Sequence, residues 1–200
     1  MKKVVMDGKW LTEYSGEHLM HELSMLWELA EILPKQEQGT ALYTAVLESF
    51  ANHLRNLIEF FGFPTRMGYV RAQDFFDDPA AWPARCKLTS ILRNGLSRAN
   101  EEVAHLTTGR KSGSPPEKVW YVHELLKEVE KIAKEFASNA SPERLHPSVR
   151  EFLGLPSGKM HTWVRANVIH SSNVASCTAF LTSDGASTAT TIIHKTLTDP

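Results

Sequence analysis

Arg98, Glu102 and His105 follow one another at steps of four and three in RANEEVAH, which stacks an arginine, a carboxylate and a histidine on one face of a helix. Such a stack can carry chemistry, or it can be a hydrogen-bond network tying helices together. The first role requires an accessible groove, the second a cover of partners such as Glu59 or Asn56. A second concentration lies in ALYTAVLESFANHLRNLIEFF, residues 41–61, where His53 interrupts an apolar line of Leu42, Val46, Phe50, Leu57 and Phe61. Beside it run Glu48, Asn52, Arg55, Asn56 and Glu59, with Arg55 and Glu59 one turn apart and able to pair. A third set, Arg66 and Arg71 among Phe63, Tyr69, Phe75, Phe76 and Trp82, could stack bases and neutralise phosphates, or fold its aromatics over the end of a helical bundle.

Metal chemistry has less behind it. His18 and His21 with Glu17 and Glu22 would need ligands from other helices, and surface polar residues at a helix start explain them as well. Glu102 and His105 make one Glu-x-x-His, but a di-iron bundle needs two, plus inward glutamates of which Glu48 could supply only one. Cys86 and Cys177 lack ligand spacing and read as free thiols. No metal and no cofactor is expected.

Composition narrows the class. The 200 residues, 42% of them hydrophobic, are enough for one domain with a buried core. Net charge is −1, distributed as −4 over residues 1–61, +3 over 62–111, −1 over 112–155 and +1 beyond. A basic middle permits a phosphate backbone but falls short of the charge of strong non-specific nucleic-acid binders. The N-terminal MKKVVMDGKW has too short an apolar run for a signal peptide, and no run reaches membrane-spanning length, so a cytoplasmic protein is expected.

The elements that must position these residues read as helices. Ser15 is a candidate cap for a first helix from Gly16 to Leu33, stopped by Pro34. Residues 41–61 form the second, ended by Gly62 and Pro64, and a long aromatic and basic loop follows. A third helix runs from Pro83 or Ala84 to Thr108, with Gly95 and Ala99 small enough for a neighbour such as Phe50 to come close. Ser114 to Glu117 make a capping box for a fourth helix from about Pro115 to Ala137 with an apolar heptad. The pattern predicts an all-α, up-and-down four-helix bundle over residues 1–137. Residues 138–200 form a Pro/Ser/Thr-rich extension with a short helix near Ser148–Leu153, a weak hairpin at Ser183–Gly185 and little other order.

At ESFANHLRNLIEFFG, RAQDFF and RANEEVAHLTTGR the chain resembles a group of uncharacterised bacterial helical proteins related to the HEPN superfamily, over residues 15–137. Many HEPN domains are metal-independent endoribonucleases of toxin, phage-defence and RNA-processing systems. Their motif, an arginine and a histidine with four to six residues between them, is matched by Arg98 and His105 at the longest spacing, with Asn100 one place later than the motif's usual polar residue. The resemblance implies RNA cleavage by attack of its own 2′-hydroxyl on the adjacent phosphate. His105 would move the proton, Arg98 would stabilise the phosphoryl oxygens and Asn100 would orient the phosphate, supported by His53, Arg55, Asn56, Glu59 and Glu102. It also implies a homodimer, RNA as substrate and a cognate protein partner. The alternative is a catalytically silent bundle that binds a protein or nucleic acid.

Overall fold

The computed structural model describes residues 6–62, 68–104, 108 and 119–156. Arg66, His105, the capping box at Ser114–Glu117 and everything from Ser157 onward, including the hairpin expected at Ser183–Gly185, lie outside the described residues. The protein is all-α, with no strand among the described residues.

The first helix begins earlier than its expected Ser15 cap. Asp7 supplies the cap, its carboxylate accepting from the Trp10 amide at 2.8 Å, and α1 runs Gly8–Tyr14. A π-helical turn, Ser15–Leu19, then joins it to α2, Met20–Ile32. Ser15 is fully buried; its hydroxyl donates to the Thr12 carbonyl at 3.0 Å and accepts from the His146 amide at 2.9 Å. A cap-forming residue type thus serves inside a helix because a distant segment uses its oxygen. Gly16 admits that segment: a Cβ there would stand 2.9 Å from Cγ of the His146 ring.

Helix α3, Ala41–Gly62, matches its expected span, with Thr40 Oγ1 accepting from the Tyr43 amide. Phe50, Leu57 and Phe61 of the expected stripe are buried together with Ala51, Leu54 and Ile58, whereas Leu42 is exposed. The third helix is not continuous. A short α4, Ala81–Arg85, gives way to extended chain, and α5, Ser90–Arg98, starts afresh with Thr89 as its cap. The break lets Leu88 seat over Gly62, where a Cβ would come within 2.4 Å of Leu88 Cδ1. Helix α5 passes into a second π-helical turn, Ala99–Ala104. Helix α6, Val122–Asn139, starts later than expected, after the non-helical residues 119–121, and buries Val122, Val129, Ala133 and Phe136 of the expected heptad, with Leu125 and Ile132 beside them.

Helix α2 packs on α3, α3 on α5, α5 on α6, and α6 on both α2 and α3. Gly95 allows the α5–α6 approach, since a Cβ there would meet Leu125 Cδ2 at 2.7 Å; the close neighbour is Leu125, not the expected Phe50. At one end of the core Phe60, Phe61, Phe75, Phe76 and Trp82 surround Phe136 with ring centroids 5.5 to 6.0 Å away, mostly edge to face. Trp82 satisfies its indole N–H on the Phe61 carbonyl at 2.7 Å, so its burial leaves no orphan donor. Phe75, Phe76 and Trp82 of the expected base-stacking set are therefore spent on the core, Tyr69 is exposed, and Phe63 lies outside the described residues.

The compact unit runs to Gly158, so the boundary expected after residue 137 falls inside it. Ala140, Leu145, Val149 and Leu153 are buried, and α7, Pro147–Phe152, stands where a short helix was expected. Arg144 Nη1 donates to the carbonyls of Asp74 and Phe76, and the Ser141 amide donates to the Phe75 carbonyl. The polar ties of Arg144 and Ser141 reach some 70 positions upstream, while α7 packs on the Ser15–Leu19 turn and on α6.

Candidate functional site

The π turn in the N-terminal helix has a geometric consequence. Trp10, Tyr14, His18 and Glu22 stand four apart in sequence. In an α-helix of 3.6 residues per turn, steps of four drift by roughly 40° each and would carry the last residue round to another face. The wider turn at Ser15–Leu19 absorbs part of that lag. The side chains form one row: Trp10 stacks on Tyr14 with centroids 5.2 Å apart, and Tyr14 lies 4.9 Å from His18.

This row is one wall of a half-open cleft of about 780 Å³. Asn56, Glu59 and Phe60 of α3 form a second wall, Leu96 of α5 closes one side, and Gly68–Arg71 form the remaining edge. Gly68 holds φ at +88°, the left-handed conformation in which glycine is unstrained, and so turns the chain onto the cleft.

Two carboxylates face this space, each aimed by neighbours. Glu22 Oε2 accepts from His53 Nδ1 at 2.8 Å and from Asn56 Nδ2 at 3.2 Å. A carboxylate oxygen accepts, so His53 carries its proton on Nδ1. His53 also meets His21 edge to face at 5.6 Å. The unexpected histidine of the α3 stripe is therefore the polar tie between α3 and α2. Glu59 Oε1 accepts from Arg55 Nε at 3.0 Å, the pairing that their spacing implied. Among the described residues, neither Glu22 Oε1 nor Glu59 Oε2 has a hydrogen-bond partner. The charge of Glu22 is felt nearby: burial first, and then Glu22, raise the Tyr14 phenol above its ordinary value.

The Arg98 region is arranged differently. Arg98 grips Glu102 with a two-pronged contact, Nε to Oε1 at 2.8 Å and Nη2 to Oε2 at 2.9 Å. Its Nη1 donates to the Val119 carbonyl at 2.9 Å, and the guanidinium lies 4.4 Å above the Trp120 ring. Arg98 thus clamps the end of α5 to the chain entering α6, through Val119 and Trp120, not through Glu59 or Asn56. Asn100, in the second π turn, is half-buried, and neither it nor Arg98 lines the cleft.

Of the residues singled out from sequence, the fold gathers Asn56, Glu59 and Arg71 along the cleft, with His53 and Arg55 behind its carboxylates. Arg71 pairs with Asp74 at 3.5 Å. Trp10 and Tyr14 were not expected as site residues, Tyr69 was expected only as a base-stacking or core-covering aromatic, and Glu22 was weighed only as a metal ligand. The four-residue spacing from Trp10 to Glu22 was the available signal, readable only once the π turn is known. Glu48 is exposed on α3, and no group of three or more His, Cys, Asp or Glu is placed to hold a metal among the described residues. No helix among them is long and apolar enough to cross a membrane. A comparison with protein-family models, curated proteins and solved structures found no match.

Proposed function

We propose that the chain is a binding protein, an up-and-down four-helix bundle that takes a ligand in the cleft between its N-terminal helix, α3 and the segment 68–71. The observation that carries this reading is the cleft itself, whose volume of about 780 Å³ lies in the range of small-molecule sites and whose carboxylates are held by His53, Asn56 and Arg55. The ring of contacts through α2, α3, α5 and α6 supports the bundle topology. The clamp on Arg98 supports a role without catalysis, because its guanidinium is engaged by Glu102 and Val119. The test is ligand screening by thermal shift with wild type and with Leu96→Trp, which fills the cleft from α5. Ligands whose stabilisation disappears in a folded Leu96→Trp support the reading; identical responses from both proteins overturn it.

A second reading keeps the HEPN-like ribonuclease, cytoplasmic and dimeric, with RNA as substrate, a toxin or defence role and a cognate protein partner. One observation favours it: the π turn that follows Arg98 carries Asn100 and packs against α3, and such turns concentrate at functional sites. Under this reading Arg98 exchanges Glu102 for a phosphate, and His105 serves as the proton carrier. Cleavage of single-stranded and structured RNA in EDTA, lost in a folded His105→Ala, supports the nuclease. Absence of cleavage by wild type favours the binding bundle.

A further inference from the structure

The two carboxylates of the cleft are not equivalent. Glu59 stands against the permanent cation of Arg55 at 3.0 Å, which offsets its charge. Glu22 is held by a histidine and a carboxamide, neither of them a permanent cation. Its second oxygen has no partner among the described residues. Arg71, at the opposite edge, caps the 3-10 turn Ala72–Phe75 and is paired with Asp74 of that turn.

The walls around Glu22 are aromatic. Trp10 and Tyr14 form a stacked pair with ring planes 19° apart, Phe60 lies on the α3 side, and Tyr69 is exposed on the facing edge. Trp10 and Tyr14 turn ring faces on each other, so this wall offers a ligand apolar ring surface for its body and leaves its charge to be met by Glu22. An anion entering here would also have to desolvate beside Glu22 and be repelled by it, while the guanidinium at the opposite edge, Arg71, is already shared with Asp74. A cation with an apolar body meets the opposite balance: a charge-assisted hydrogen bond at one end and aromatic burial along its length.

We propose that this cleft binds a small organic ammonium, its charged nitrogen on Glu22 and its apolar body against Trp10, Tyr14 and Tyr69. The inference rests on the cleft being a ligand site and adds the chemical class. Asn56 and His53 hold one oxygen of the carboxylate and leave the other for the ligand, and exposed His18 continues the row beside Tyr14. The cleft volume accommodates an arylalkylamine with room for a longer chain.

The experiment compares three ligands of one shape and different charge by titration calorimetry on the full chain: phenethylamine, 2-phenylethanol and 3-phenylpropionate. The proposal expects phenethylamine to bind about tenfold or more tightly than the alcohol, with the carboxylate weakest. In Glu22→Gln, whose fold is checked by circular dichroism, that preference falls to about twofold or less. Glu59→Gln retains most of it. Equal binding of all three, or a preference that survives Glu22→Gln, overturns the ammonium assignment. If that binding is still lost in Leu96→Trp, the cleft reading stands without it. No binding of any of the three at millimolar concentration counts against both.

Discussion

The cleft and the Arg98 clamp are built from the same kinds of residue and put them to opposite uses. In the clamp, carboxylate and guanidinium meet fork to fork, the third nitrogen takes a backbone carbonyl, and an indole ring covers the cation. In the cleft, Glu22 spends one oxygen on His53 and Asn56 and Glu59 one on Arg55, and the second oxygen of each has no hydrogen-bond partner among the described residues. A polar group whose partners are all supplied by the fold stabilises and fixes geometry; one left half-satisfied beside a cavity can serve a ligand.

The largest effect is expected at Arg98. Arg98→Ala should destabilise the protein by about 2 kcal/mol, because it strands the partly buried Glu102 carboxylate and the Val119 carbonyl and removes the contact with Trp120. Arg98→Lys should recover roughly half of that, since a point charge cannot make the forked contact. Urea denaturation measures both; a neutral Arg98→Ala would remove the clamp from the account and return Arg98 to the chemistry the sequence suggested.

Gly16→Ala tests whether the π turn's position matters to the cleft wall. The new Cβ would press on the His146 ring at 2.9 Å, and a cost of about 1 to 2 kcal/mol in thermal melts is expected, with weaker ligand binding through displacement of Tyr14 and His18. His53→Ala should cost less, about 1 kcal/mol, because Asn56 still holds Glu22 and water can reach the vacated oxygen. Equal losses for His53→Ala and Arg98→Ala would erase the distinction between an aimed and a satisfied carboxylate.

The smallest effect is spectroscopic. Burial first, and then Glu22, raise the Tyr14 phenol above its ordinary value of 10.0. Ultraviolet titration of Glu22→Gln should find Tyr14 ionising at lower pH than in wild type, yet still above an exposed tyrosine, because burial remains. The sign for stability follows: the protonated phenol is favoured in the folded state, so its contribution is present below pH 10.0 and is lost as the pH rises through the folded value. An unmoved Tyr14 would separate Glu22 electrostatically from the aromatic row.

Much of the frame was readable from residue order. The apolar periodicity of α3, the stop at Gly62, the pairing of Arg55 with Glu59, and the heptad from Val122 to Phe136 all depend on contacts within one or two turns, which spacing encodes directly. The same locality hid the first helix start, where Asp7 competes with Ser15 and wins because His146, 131 residues away, takes the Ser15 hydroxyl.

By itself the sequence determined that this chain is helical, where its strongest apolar faces lie, and which residues on α3 are polar, because each follows from local periodicity and burial of nonpolar surface. Only the tertiary structure decided that Glu22 meets His53 and Asn56, that Arg98 closes on Val119 and Trp120, and that residues 140–156 seal the core. Those outcomes rest on which helices become neighbours and on how a π turn rotates one face relative to the next. Neither is a property of any short stretch of residues.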